Sequence, residues 1–531
     1  MSGGEETLYD VIVRANTIHT LGDGATSPTA VAIRDGVIAA VGTDVDFADW
    51  SANATRAIDL GDATMTPGLV DNHIHPILGI QMTRGLDLTL FDTEAKVTAA
   101  LREYATTLAP DAWILGWGLD LNIAEPGKLN NSFLDELVGD RPAFLYLKDA
   151  HSALASSAAI RAGEYGDDSP HLIAENPGWL VELEAMGPAL AAMPQLTVAD
   201  KAERLHEILR AFAEKGFTEG YVLDLGDPDA VEILQTAERL GPLEIVLRIS
   251  PWIMPDGQWP TVDDVIALQD THGERWAIEG AKLFIDGTID NGTAWLYKPD
   301  TKGEGLAGAW HTPEQYRATV AKLHAARIPT STHAIGDKGI DYVVETLAAL
   351  PAGGPRHRIE HIETVTDEVI EGMRANNITA SMQPTHCTHF VYADETDNWS
   401  VRLGHERSER GFRWADIRDA GVPLAMGSDW PVAICDAPAI FASAQLCRPA
   451  GQPEVTPIRP RQALTALDVL RGFTVIADES IERAPRAIAV GQRATLTAFA
   501  DDPLTTDPDA FANTSVVLTM IDGDVIVGSN R

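Results

Sequence analysis

Thr66-Pro67-Gly68-Leu69-Val70-Asp71-Asn72-His73-Ile74-His75-Pro76 reads as an apolar strand that ends in His-x-His. Side chains alternate across a strand, so the two imidazoles share a face, roughly 7 Å apart at their Cα atoms. Two neutral imidazoles at a strand end can grip one cation, although the same pattern also closes strands with no metal present.

Seven further buried strands follow: Phe217 to Leu223, Leu243 to Ile249, Ala281 to Asp286, Ile328 to His333, His357 to His361, Ile378 to Gln383 and Val422 to Asp429. Helical patterns lie between several of them, at Asp200 to Lys215, Pro313 to Ala326 and Ile340 to Leu350. Eight βα units predict an α/β fold, a (β/α)8 TIM barrel, over residues 68–84 and 206–484. The gap from His75 to Phe217 is too long for one crossover. Residues 85–205 are therefore read as an inserted subdomain, with strands at Trp113 to Trp117 and Ala143 to Leu147. Short strands with Asp35-Gly36 and Asp522-Gly523 turn signals occupy both chain ends. Neither end can bury a good core alone, so residues 1–67 and 485–531 are expected to combine into one β-sandwich.

The barrel strands carry a constellation. His333, His361 and Asp429 each end a predicted strand, where active sites of this architecture lie. Lys282 falls inside an apolar strand and shares a face with Phe284 and Asp286. An ammonium there would repel nearby cations; burial and positive charge lower a lysine pKa, and the free amine can add carbon dioxide. The resulting carbamate is an anionic ligand able to bridge two metals. The plainer alternative is a lysine reaching out to a surface carboxylate.

His73-x-His75, Lys282, His333, His361 and Asp429, in this order, resemble the amidohydrolase superfamily. Pro67-Gly68-Leu69-Val70-Asp71, Lys282-Leu283-Phe284-x-Asp286-Gly287, His333-Ala334-Ile335-Gly336-Asp337, Arg358-Ile359-Glu360-His361, Ser381-Met382-Gln383-Pro384 and Gly427-Ser428-Asp429-Trp430-Pro431-Val432 narrow the resemblance to the amidohydrolase-3 branch, which includes N-substituted formamide deformylases. The resemblance implies hydrolysis of amide-type C–N bonds by two divalent cations, zinc first, with iron, manganese or nickel as alternatives. By position, His73 and His75 would hold one cation and His333 and His361 the other. Carboxylated Lys282 would bridge them, and Asp429 would be ligand and proton shuttle. A water between two cations would be acidified and the scissile carbonyl polarised. His386 and His151 are candidates for assisting the chemistry, and either can equally be structural. Trp117, Trp295, Trp430 and Gln383 are candidate substrate contacts. Relatives commonly read Asp-Gly-Ser-x-Gly-Ser-Arg after the lysine strand; here Asp286-Gly287-Thr288-Ile289-Asp290-Asn291-Gly292 stands instead, which bears on substrate preference.

Composition limits the partners. The 531 residues carry 40 Lys and Arg against 78 Asp and Glu, a net charge of −38. Such a surface repels nucleic-acid phosphates and anionic lipid, leaving a small-molecule amide as the expected partner and a homodimer as an open oligomeric state. Met1-Ser2-Gly3-Gly4-Glu5-Glu6 has no secretory character, and the three cysteines have no CxxC spacing, so a reducing cytoplasm is expected. Two rival functions stay open. One is a one-metal deaminase of a heterocycle, which needs no bridging lysine; the other is a catalytically inactive binding or scaffold barrel.

Overall fold

The computed structural model describes residues 8–22, 27–120, 123–124, 127–148, 151–166, 169–173, 176–255, 257 and 260–528. Met1 to Glu6, read above for a leader, lie outside them, as do Asp149 and Ala150 beside His151. The chain divides into two compact units, one of residues 1–75, 206–429 and 435–531, the other of residues 76–205 and 430–434.

The first unit holds eight parallel strands in chain order: β1 (Leu69–Ile74), β2 (Phe217–Val222), β3 (Val246–Ile249), β4 (Ala281–Phe284), β5 (Thr330–Ala334), β6 (Arg358–His361), β7 (Thr379–Met382) and β8 (Leu424–Met426). Seven fall within the predicted segments and β5 runs one residue past its segment, because each is a short apolar run bounded by turn residues. Helices Val198–Glu214, Pro313–Ala325 and Asp337–Ala348 also stand within a few residues of expectation. The ladders form two parallel sheets rather than one continuous ring: β1 to β3 with Trp276–Ile278, and β4 to β8 with Trp252–Ile253 at its edge. Hydrogen bonds cross both breaks. Lys282 N–H donates to Pro251 O at 2.9 Å, and Asp429 N–H donates to His73 O at 2.8 Å. The Asn72 amide also donates to Met426 O, at 2.8 Å. A Cβ on Gly427 would lie 2.8 Å from His73 N, so only glycine lets the chain after β8 approach β1 this closely.

Both chain ends of this unit form short sheets. One orders strands Val37–Gly42, Ala30–Arg34, Tyr9–Arg14 and Ala54–Asp59; the other orders Thr17–Ile18, Thr64–Pro67, Leu496–Phe499, Val516–Ile521 and Asp524–Val527. Val13, Val31, Ile38, Met65, Leu496 and Met520 share one buried apolar cluster, which draws on both ends of the sequence. Asp35-Gly36 and Asp522-Gly523 have positive φ at both positions, the backbone that a two-residue hairpin needs.

The second unit carries a five-stranded sheet, ordered Trp179–Val181, Ser152–Ala155, Ala143–Leu147, Ile114–Leu119 and Leu86–Asp87. Leu145 and Leu147 join one apolar cluster while Phe144 and Tyr146 join another, the period-two alternation of a sheet covered on both faces. No helix among the described residues is long and apolar enough to cross a membrane.

Candidate metal centre

Five of the eight strands deliver the donor groups. His73 lies in β1 with His75 just beyond it, Lys282 in β4, His333 in β5 and His361 at the end of β6; Asp429 follows β8. All six side chains are buried. Register explains the convergence: Phe284 stands opposite His333, and Ala334 opposite His361, so the strand ends bring these residues to one level.

Asp429 is the focus. Its Oδ1 lies 2.9 Å from His75 Nε2 and 3.4 Å from His73 Nε2. Lys282 Nζ is 3.5 Å from that same His73 nitrogen. The His361 ring stands 4.7 Å from the His73 ring and 4.5 Å from that of His333. One ligand atom each from His73, His361 and Asp429 lie within 4.8 Å of one another. Donors about 3.4 Å apart match the edge of a tetrahedron whose metal–nitrogen distance is about 2.1 Å. Asp429 Oδ1 and His75 Nδ1 are buried without a hydrogen bond of acceptable geometry. Buried polar atoms normally have partners, so this donor set fits a divalent cation.

Three imidazoles are held by their other nitrogen. His73 Nδ1–H donates to Glu360 at 2.9 Å, His333 Nε2–H to Gly287 O at 3.1 Å, and His361 Nδ1–H to Gln383 Oε1 at 3.0 Å. Each bond fixes a tautomer; at His73 it leaves Nε2 facing Asp429 and Lys282, while the His361 Nδ1 that bonds Gln383 also stands 3.8 Å from Asp429 Oδ2. Glu360 is held in turn by Arg358, which also donates to Asn72 O and Ser381 Oγ. The electrostatics follow. Burial lowers the Lys282 pKa to about 8, and burial with the nearby Lys282 charge lowers that of His73 to about 4. Burial opposes a charge on Asp429, but His73, His75 and His361 outweigh it and hold the carboxylate well below its usual range. Arg358 and His73 likewise outweigh burial at Glu360 and keep it ionised. His361 (φ 73°) and Asp429 (φ 61°) both adopt left-handed backbone, a conformation costing about 1–3 kcal/mol each and concentrated at functional sites.

Residues 56–527 match the family model described as the amidohydrolase family. The chain belongs to the amidohydrolase family. This amidohydrolase is a hydrolase acting on carbon–nitrogen bonds. It is 25% identical to the Bacillus subtilis protein YtcJ over 534 residues, covering 96% of this chain and 98% of that one. It is 22% identical to the N-substituted formamide deformylase of Arthrobacter pascens, covering 97% of each. Its fold is similar to that of an uncharacterized metal-dependent hydrolase from Pyrococcus horikoshii, with a TM-score of 0.73 at 22% identity, covering 94% of this chain and 99% of that one.

The remaining candidates in this amidohydrolase are placed as follows. His386 stacks on His361 with ring centroids 5.8 Å apart, and its Nε2 lies 3.4 Å from Asp429 Oδ2. Trp295 is buried against Tyr342, and its backbone N–H donates to Asp286. Trp117, His151 and Trp430 belong to the second unit. There His151 pairs with Glu182 at 3.0 Å, and Trp430 packs on Gly79 of helix Pro76–Met82. Sequence reasoning missed the work of Glu360 and Arg358. The signal was present, since two charged residues in a four-residue buried strand must satisfy each other or a neighbour. Asp286 accepts from the N–H groups of Trp295, Ile335 and Gly336, tying the altered loop after β4 to the start of helix Asp337–Ala348.

Proposed function

We propose that this chain hydrolyses a non-peptide amide, N-formyl or N-acyl, of a small organic molecule, using divalent cations held by His73, His75, His333, His361 and Asp429. Lys282, carboxylated by carbon dioxide, would complete the ligand set as an anionic oxygen ligand able to bridge the cations. The observation that carries this reading is the convergence of His73, His75 and His361 on the one buried carboxylate of Asp429, whose Oδ1 has no hydrogen bond of acceptable geometry. The eight strands are read as one closed (β/α)8 barrel, supported by the bonds across both sheet breaks, with a composite sandwich from the two chain ends. The three cysteines are free, which suits a reducing cytoplasm.

Cations bound here would supply Lewis acidity, lowering the pKa of a water and polarising the scissile carbonyl. Asp429 accepts the proton of the attacking water and returns it to the departing amine nitrogen. His386 Nε2, 3.4 Å from Asp429 Oδ2, is the next group able to take that proton. Glu360, His361 with Gln383, and Gly287 with His333 hold the imidazoles still, so little reorganisation accompanies the reaction.

The tripod of His73, His361 and Asp429 alone would suit a single cation, the arrangement a deaminase needs. Metal analysis of the purified protein separates the two readings. About two divalent ions per chain, with amide hydrolysis lost on chelation and restored by metal, is expected. One ion with ammonia release from a heterocycle favours deamination, and full activity in verified metal-free protein sinks both.

A further inference from the structure

The four candidate imidazole ligands are buried, yet three aromatic rings packed against the histidine cluster are only half-buried. Trp252 meets His75 edge-on at 6.2 Å, and Phe284 meets both Trp252 at 5.3 Å and His333 at 5.6 Å. Phe390, one helical turn after His386, lies 5.6 Å from that ring. Beside the centre, then, these three rings leave part of their apolar surface exposed. Two of the rings are also fixed. The Trp252 indole N–H donates to Leu223 O, Gly226 abuts its benzo edge, and Phe284 sits in β4 with its carbonyl held by the Trp310 indole at 2.7 Å. Two basic residues reach the cluster and are turned inward: Arg358 is engaged by Glu360, Asn72 and Ser381, and Lys282, the proposed carbamate, faces His73.

We propose that Trp252, Phe284 and Phe390 form a substrate-selecting wall, so that the enzyme prefers uncharged amides carrying an aromatic or bulky apolar group. This rests on the amide-hydrolase reading above. Rigid rings offer apolar contact at little entropic cost, whereas an anionic substrate would face a chain of net charge −38.

The test uses metal-loaded enzyme and matched pairs of similar intrinsic reactivity: N-(2-phenylethyl)acetamide against N-ethylacetamide, and 3-phenylpropanamide against propanamide. At least one aromatic member should exceed its partner about tenfold in kcat/KM, and Trp252→Ala or Phe390→Ala should pull that ratio towards one. Calorimetric titration with the same amides reads the wall independently of turnover. Tenfold tighter binding of an aromatic member, lost in either variant, supports the wall even if nothing is hydrolysed; that result would overturn the amide-hydrolase reading alone. Equal binding and equal kcat/KM within both pairs for the wild-type enzyme would overturn the wall while leaving hydrolysis intact. Circular dichroism and metal content establish that each variant is folded, and the wild-type ratios decide the preference without any variant.

Discussion

Glu360 Oε2 stands 2.9 Å from His73 Nδ1, and neither side chain has any exposed surface. A carboxylate behind a metal-facing imidazole sets its tautomer and raises its basicity, and losing such a partner typically costs 10–100-fold in metal affinity. Glu360→Gln keeps the shape and loses the charge, while Arg358 retains Asn72 O and Ser381 Oγ as acceptors. Metal titration should show affinity reduced by about that factor. Wild-type affinity in the variant would show that Glu360 serves packing alone.

Asp429→Asn preserves size and one ligand oxygen but cannot accept a proton. General acid–base catalysis contributes about 10²–10⁴ in rate, so kcat should fall at least a hundredfold with KM changing much less. Metal content is measured on the same sample, because lost ligation imitates lost catalysis. Near wild-type kcat in metal-replete Asp429→Asn would move the base to another residue, His386 first.

Lys282 is buried, and its lowered pKa of about 8 leaves a useful fraction of free amine near neutral pH. Protein prepared with ¹³C-bicarbonate and metal should show a carbamate carbon resonance that Lys282→Ala lacks. The variant should bind fewer cations per chain, with short carboxylic acids restoring part of the activity. A metal-loaded wild-type protein without that resonance would exclude the bridge.

A fourth expectation concerns stability away from the site. His357 Nδ1 accepts from Thr330 N–H at 3.1 Å, and His357 Nε2–H donates to His324 at 2.9 Å. A second proton therefore has nowhere to sit, and burial followed by repulsion from His324 lowers the His357 pKa to about 4 from its ordinary 6.5. Because the folded pKa is depressed, the unfolded chain binds more protons between these values. The stabilisation is complete above about pH 6.5 and is lost as pH falls towards 4, by about 3 kcal/mol in all. The urea midpoint of wild type should fall more steeply across that window than that of His357→Gln. Parallel curves would remove His357 from the acid response.

The eight strands, and the gathering of His73, His75, Lys282, His333, His361 and Asp429 as candidate ligands, were legible because apolar runs that carry or end in His, Lys or Asp combine a fold signal with a chemical one. The supporting layer was not. That Glu360 faces His73, or that Gly287 O accepts from His333, depends on register between strands far apart in sequence, which a linear pattern does not contain. Trp252 was overlooked for the same reason. Trp295, a candidate substrate contact on the loop after β4, is buried against Tyr342, a packing that the linear pattern does not contain either.

The bond from Asp429 N–H to His73 O joins residues 356 positions apart in the chain. At about 5–20 residues per second, a ribosome takes roughly 20–70 s to make that stretch. Throughout it His73 and His75 exist as an unfinished pair with neither their carboxylate nor the glycine-mediated seam beside Gly427. If the proposed centre holds metal, its choice would therefore belong to the completed chain: a cation caught by the nascent pair would be held by two imidazoles and could be exchanged before Asp429 arrives to close the site.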